Sequence, residues 1–238
     1  FTALRSDVMF ICLLYPFIGL VLAWAALDTA LLPQLFPLAS GFALVGPVAA
    51  LGLYEMSRRR EAAGTARWSD AFKVLQGPAL APILAMAVYL VGIYAVWLVA
   101  ATGLHAITLG PEPPASASAF AEDVFTTPAG WTMIVIGTAV GALFAALVLV
   151  VSLVSFPMLL DRKVGLPTAV VTSVAVARRN PRVVATWGAI VAGALALGTA
   201  PLFLGLIFAL PILGHATWHL YRRAVRFEPV EETGAQAG

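Results

Sequence analysis

Apolar residues in this chain run in long unbroken blocks, and polar residues gather in the short stretches between them. Five runs contain no Asp, Glu, Lys or Arg: 8–27, 29–54, 74–111, 124–160 and 183–221. Each reaches the roughly 20 residues that an α-helix needs to cross a hydrocarbon layer. The last contains "LGTAPL" (197–202), where Gly198 and Pro201 form a turn signal that divides it in two. The blocks therefore predict six spans, at 8–27, 35–56, 79–103, 130–158, 183–198 and 202–221.

Two of the connections carry a pattern of their own. "RWSDAFKVLQGPALAPIL" (67–84) and "PTAVVTSVAVARRNPRVVATW" (167–187) read as amphipathic helices, each stopped by a proline that opens the next span. Ser69 is the better N-cap candidate of the two starts. Aligning Gly77 and Pro78 with Asn180 and Pro181 also superposes Arg59 and Arg60 on Arg162 and Lys163, an offset of 103 residues. The opening "FTALRSDVMFICLL" fits the same frame, with Ser6 and Asp7 in the place of Gly77 and Pro78, and the frame implies a further amphipathic segment before Phe1. The expected fold is an all-α membrane protein of six transmembrane helices. They form three hairpins, each preceded by an amphipathic interfacial helix, a threefold internal repeat. Residues 1–226 would form one six-helix transmembrane domain and 227–238 a flexible cytoplasmic tail.

Composition supports this reading. Hydrophobic residues make up 61% of the chain and charged residues 11%, against about 25% charged in soluble domains. Cys12 is the single cysteine, so neither a disulfide framework nor a thiolate metal cluster is available. All 14 Lys and Arg residues fall on one side of the predicted map, and the connections near 28–34, 104–129 and 198–201 contain none. Basic residues are retained on the cytoplasmic side. The chain is thus expected to be a multi-pass protein of the bacterial inner membrane with both termini cytoplasmic. Arg58, Arg59, Arg60, Arg162, Lys163, Arg178, Arg179, Arg222 and Arg223 form a basic belt. Anionic lipid headgroups are its expected partner, and nucleic acid is not.

The connection 103–129 is long and acidic, with Glu112, Glu122 and Asp123. "GPEPP" (110–114) is stiff, and 116–126 can form a short helix that places Phe120 and Val124 one turn apart. A connection of this length is a natural docking element for other membrane subunits.

Candidate chemistry is concentrated in "LPILGHATWHLYRRAV" (210–225). His215 and His219 lie four apart, hence on one helix face, and Glu55 is the carboxylate that the repeat places opposite His219. One reading makes these residues packing and capping groups at a membrane boundary, where Trp218 and Tyr221 also belong. The other gives His215, His219 and Glu55 a proton or ligand role. A metal needs a third or fourth secure ligand, which is lacking, so neither metal nor cofactor is expected. Pro16, Pro47, Pro157 and Pro211 kink or end spans, while Gly41, Gly46, Gly137, Gly141, Gly193 and Gly198 allow close helix contact. No acidic residue lies at mid-membrane, and no nucleotide loop, zinc helix, nucleophile elbow or cysteine pair is present. The chain is not expected to be an enzyme.

The elements "FPLASGFALVGPVAALGLYEMSRRR" (36–60), "NPRVVATWGAIVA" (180–192) and "LGHATWHLYRRAV" (213–225) carry a resemblance. The chain resembles, over nearly all of residues 1–226, bacterial integral membrane proteins classed as a domain of unknown function and sometimes labelled cytochrome c oxidase subunit I-like. That family carries no established activity, so the resemblance implies no catalytic residue. Three histidines are too few for haem and copper ligation. The expectation is a non-catalytic accessory or scaffold subunit of a larger, respiratory or photosynthetic, membrane complex. The alternative is a transporter or channel for a small or lipidic solute.

Overall fold

In the computed structural model, residues 50–65, 67–201 and 203–225 are described, together with Trp24, 29–34, Pro37, Leu38 and Pro47. Every regular element among them is helical. The helices are α1 (Leu51–Ala63), α2 (Leu80–Thr108), α3 (Ala117–Thr126), α4 (Pro128–Ser152), α5 (Ser155–Asp161), α6 (Leu166–Arg179), α7 (Pro181–Thr199) and α8 (Leu206–Ala224), with 3-10 turns at Thr29–Gln34 and Trp68–Gln76.

Three stretches are long and apolar enough to cross a membrane: Leu80–Thr108, Pro128–Asp161 and Pro181–Thr199. They coincide with the third, fourth and fifth predicted spans. The predicted break at "LGTAPL" is present, as α7 ends at Thr199 and α8 starts at Leu206. α8 is helical over most of 202–221, yet with two histidines and two arginines it is not among the three apolar stretches. The spans predicted at 8–27 and 35–56 lie largely outside the described residues, as does the boundary at 226. Of the second, the end is seen as α1, with Pro37, Leu38 and Pro47 before it.

α2 packs against α4, and α7 against α8, so two helical hairpins are present among the described residues. Thr127 starts α4 by accepting the Gly130 amide at 3.0 Å, with Pro128 in the first turn. The predicted short helix of the acidic connection is α3, capped by Ser116, which accepts the Ala119 amide at 3.1 Å. Its Phe120 ring meets His105 of α2 at 6.2 Å, and Val124 is buried.

The fourth predicted span is broken near one end. α4 stops at Ser152 and α5 resumes at Ser155. Pro157 has no amide hydrogen to offer the carbonyl one turn earlier, which weakens the ladder at this point. The Ser173 hydroxyl, reaching in from α6, donates to Val150 O at 2.7 Å and accepts from Val154 N at 3.3 Å. It thereby stands in for the direct helical bond between those two groups, a side-chain insertion of the kind that bends helices. Ser155 completes the joint by sharing its one hydroxyl proton between Val151 O at 2.5 Å and Ala169 O at 3.1 Å.

The two predicted amphipathic segments differ in form. Leu166–Arg179 is an α-helix that ends at Asn180, with Pro181 opening α7 as expected. Trp68–Gln76 is instead a 3-10 helix, followed by a turn before Leu80. Its cap is Asp70, whose Oδ2 accepts the Arg67 amide at 2.8 Å, and not Ser69. Both segments turn small residues towards protein: Ala71 against Leu53 and Met56 of α1, and Ala169, Ser173 and Ala177 among the buried residues of α6.

Candidate functional site

Helix ends bring all twelve described Lys and Arg residues to one end of the molecule, opposite α3 and its acidic residues. At that basic end α1, α5 and α8 pack on one another, and the three candidate residues are separated rather than gathered. Glu55 is 1% exposed. Its carboxylate accepts from Arg58 Nε and Nη2, both at 2.8 Å, and from Arg59 Nε at 2.5 Å. This fork uses both oxygens within α1, so Glu55 does not meet His219 as the repeat alignment suggested. The Glu55 hydrogen bond also holds Arg58 still more firmly protonated than usual.

His215 meets Ser57, Nδ1 to Oγ, at 2.6 Å. Ser57 has one hydroxyl proton and gives it to Leu53 O at 2.9 Å, so the imidazole Nδ1–H is the donor of the pair. His215 Nε2 and Trp218 Nε1 are buried with no hydrogen-bond partner among the described residues. His219, 66% exposed, faces Glu61 of α1 at 3.8 Å. Arg222 spans two carboxylates, Glu61 at 3.3 Å and Asp161 of α5 at 3.5 Å, while the Tyr221 hydroxyl donates to Asp161 at 2.9 Å. Arg162 lies 3.2 Å from Asp161. The expected His215–His219–Glu55 cluster is thus three separate joints, each tying α1, α5 and α8 together or bracing α1. Among the described residues no group of three His, Cys, Asp or Glu side chains can hold a metal ion. Ser57, Glu61 and Ser173 were missed by sequence reasoning. A serine or an exposed glutamate carries no local signal for a partner more than 100 residues away in the chain, as for Ser57 and His215.

Beyond this knot, towards the middle of the spans, α4 and α7 touch at Leu149 and Gly188, and the hairpins α2–α4 and α7–α8, with the start of α1, line a cleft of about 490 Å³. Small residues line it: Ala145 on α4 and Ala192 on α7, beside Gly141 and Gly188, which let Trp97 and Leu149 approach closely. Trp97 and Trp187 supply aromatic walls. The polar side chains in the lining include Tyr54, Ser152 and Thr217, all towards the basic end. Two of them are already engaged, since Ser152 donates to Val148 O at 2.6 Å and Thr217 to Leu213 O at 2.8 Å. The described lining therefore offers an apolar molecule mainly hydrocarbon contact.

A family sequence profile described as a predicted integral membrane protein, DUF2189, matches residues 35–161, just over half of the chain. The chain belongs to the DUF2189 family of predicted integral membrane proteins. The match includes α1 to α5 and the element 36–60, and it stops before the GHATWH segment. Comparison with curated proteins and with solved structures finds no match.

In this DUF2189 protein the predicted basic belt divides in two. Arg58, Arg59, Arg162 and Arg222 each lie within 4.0 Å of a carboxylate, as does Lys73. Arg60, Lys163, Arg178, Arg179 and Arg223 form no ion pair among the described residues. The small-residue expectation divides as well. A Cβ on Gly137 would meet Leu104 of α2 at 3.2 Å, and one on Gly198 would meet Leu206 at 2.7 Å, whereas one on Gly193 would meet nothing within 4 Å among the described residues. Gly41 and Gly46 lie outside the described residues.

Proposed function

We propose that this DUF2189 protein is a non-catalytic membrane protein that holds a lipid or similarly apolar molecule between the hairpins α2–α4 and α7–α8. The observation that carries the reading is the cleft. Its volume falls within the range of small-molecule sites, about 300–1,000 Å³, and its walls are apolar at the depth of the spans. The polar groups of the basic end tie helices together, which leaves them structural rather than chemical. In this reading the basic end is cytoplasmic in a bacterial inner membrane. The first apolar blocks complete six spans in three hairpins, the order Trp68–Gln76, α2, α4 being echoed by α6, α7, α8.

The test is native mass spectrometry of the full chain released from mild detergent. One retained lipid fewer than in the parent is expected when Ala145 and Ala192 are both changed to leucine to fill the cleft. Retention that ignores both changes overturns the proposal. A disulfide formed between Ala192→Cys and the native Cys12 also overturns it, because the chain's own first apolar block would then occupy the cleft.

A second reading is an accessory or scaffold subunit of a larger membrane assembly. It rests on α3, where Phe125 and nearby Trp131 of α4 are 63% and 54% exposed beside Glu122 and Asp123. Comigration of the protein with other subunits in native separation supports it. Migration as a lone chain in every mild detergent removes it.

A further inference from the structure

Helix α6 has two faces of different character. Ala169, Ser173 and Ala177 recur every four residues and are buried. Next to that face Val170 and Val174, which still touch the core, join Val171 and Ala175 to line a groove that ends at Arg178 and Arg179. Val171 is 68% exposed. Arg182 follows at the start of α7, and all three arginines are exposed. Among the described residues, no carboxylate lies within 4.0 Å of any of them, although Arg58, Arg59 and Arg222 at the same end are neutralised.

We propose that this groove binds one anionic phospholipid, its acyl chain along the valines and its phosphate among the three guanidinium groups. Each half of the site selects one half of the ligand. An apolar groove excludes a free inorganic anion as the preferred occupant, and three uncompensated cations favour a net negative headgroup over a zwitterionic one. Guanidinium forks match phosphate oxygens in bidentate geometry. Position supplies the source: α7 is apolar enough to cross a membrane and begins at Pro181, directly after the groove. The site therefore sits where the chain enters the bilayer and where such lipids are abundant. It is separate from the cleft between the hairpins and does not depend on the reading given to that cleft.

The experiment compares the full chain with an Arg178→Gln, Arg179→Gln, Arg182→Gln variant in nanodiscs containing phosphatidylglycerol or phosphatidylcholine. Native mass spectrometry reads the ratio of the two lipids retained. A surface cation contributes about 1 kcal/mol towards an anionic membrane, so removing three should reduce the preference for phosphatidylglycerol on the order of 10²-fold. In parallel, a spin label at Val171, in a chain with Cys12→Ser, should be reached by oxygen and shielded from a water-soluble nickel relaxant. An unchanged lipid ratio, or a label open to the nickel reagent, overturns the proposal. So does displacement of the lipid by millimolar inorganic phosphate, which would make the site one for a free anion. The valine face makes no buried contact at Val171, so the label position reports even where the triple variant expresses poorly.

Discussion

The basic end of this protein and the middle of its spans are built by opposite rules. At the basic end Ser155, Phe156, Ala169, Ser173 and Trp218 are all 0% exposed, and serines and carboxylates are packed among apolar side chains. In the three apolar stretches only 22%, 11% and 11% of the most hydrophobic window is buried. The difference follows from the solvent. Between helices in hydrocarbon there is no hydrophobic driving force, so close packing and hydrogen bonds must hold them. Where the chain meets water, apolar burial and ion pairs act together, and there the helices converge. Small residues at mid-span can then leave a cleft without loss of the fold.

The largest effect that tests this contrast is expected from Trp218→Ala. A fully buried aromatic at the junction of α8 and the knot should cost about 3–5 kcal/mol when removed, read as a fall in thermal midpoint in detergent. A loss below about 1 kcal/mol would place the core elsewhere. Next comes Ser173→Ala, which leaves the Val150 carbonyl and the Val154 amide without their bridge. About 1–3 kcal/mol is expected, together with faster hydrogen exchange at Val154. A variant as stable as the parent would show that the joint between α4 and α5 does not need the hydroxyl.

The smallest effect concerns Asp70. Its hydrogen bond to Lys73, helped by the Arg67 amide, holds the carboxyl below the usual range. A depressed carboxylate contributes stability that is fully present above its unfolded value, about 3.9, and is lost as pH falls through the lower folded value. Asp70→Asn should therefore melt slightly below the parent near about pH 6 and match it in strong acid. A gap that persists unchanged to the lowest pH would show that Asp70 acts through its cap geometry and not its charge.

Much of the fold was legible in the sequence because its signals are local. Unbroken apolar blocks gave three spans, Gly198 and Pro201 gave the turn between α7 and α8, and the Ser116 region gave α3. Asn180 and Pro181 marked the end of α6 for the same reason. The interior of the knot was not legible. Glu55 satisfies Arg58 and Arg59 on its own helix, whereas periodicity across a repeat pointed it at His219. His215 finds Ser57, and Arg222 joins Glu61 to Asp161, pairings between elements far apart in sequence. The cleft was equally hidden, because an alanine that packs and an alanine that lines a void look alike in the chain. Ala169 is 0% exposed and Ala192 lines the cleft.

That pair of alanines gives the most direct test. Thermal midpoints of Ala169→Leu and Ala192→Leu are measured in delipidated protein and again after lipid is added back. Overpacking a dense site costs typically about 1–3 kcal/mol, and ligand that binds only the folded state raises its stability. Ala169→Leu should fall well below the parent in both conditions and still gain from lipid. Ala192→Leu should match the parent without lipid and gain less from it than the parent does. Equal losses at the two positions, or full lipid stabilisation of Ala192→Leu, would contradict the division between a packed basic end and a ligand-holding cleft.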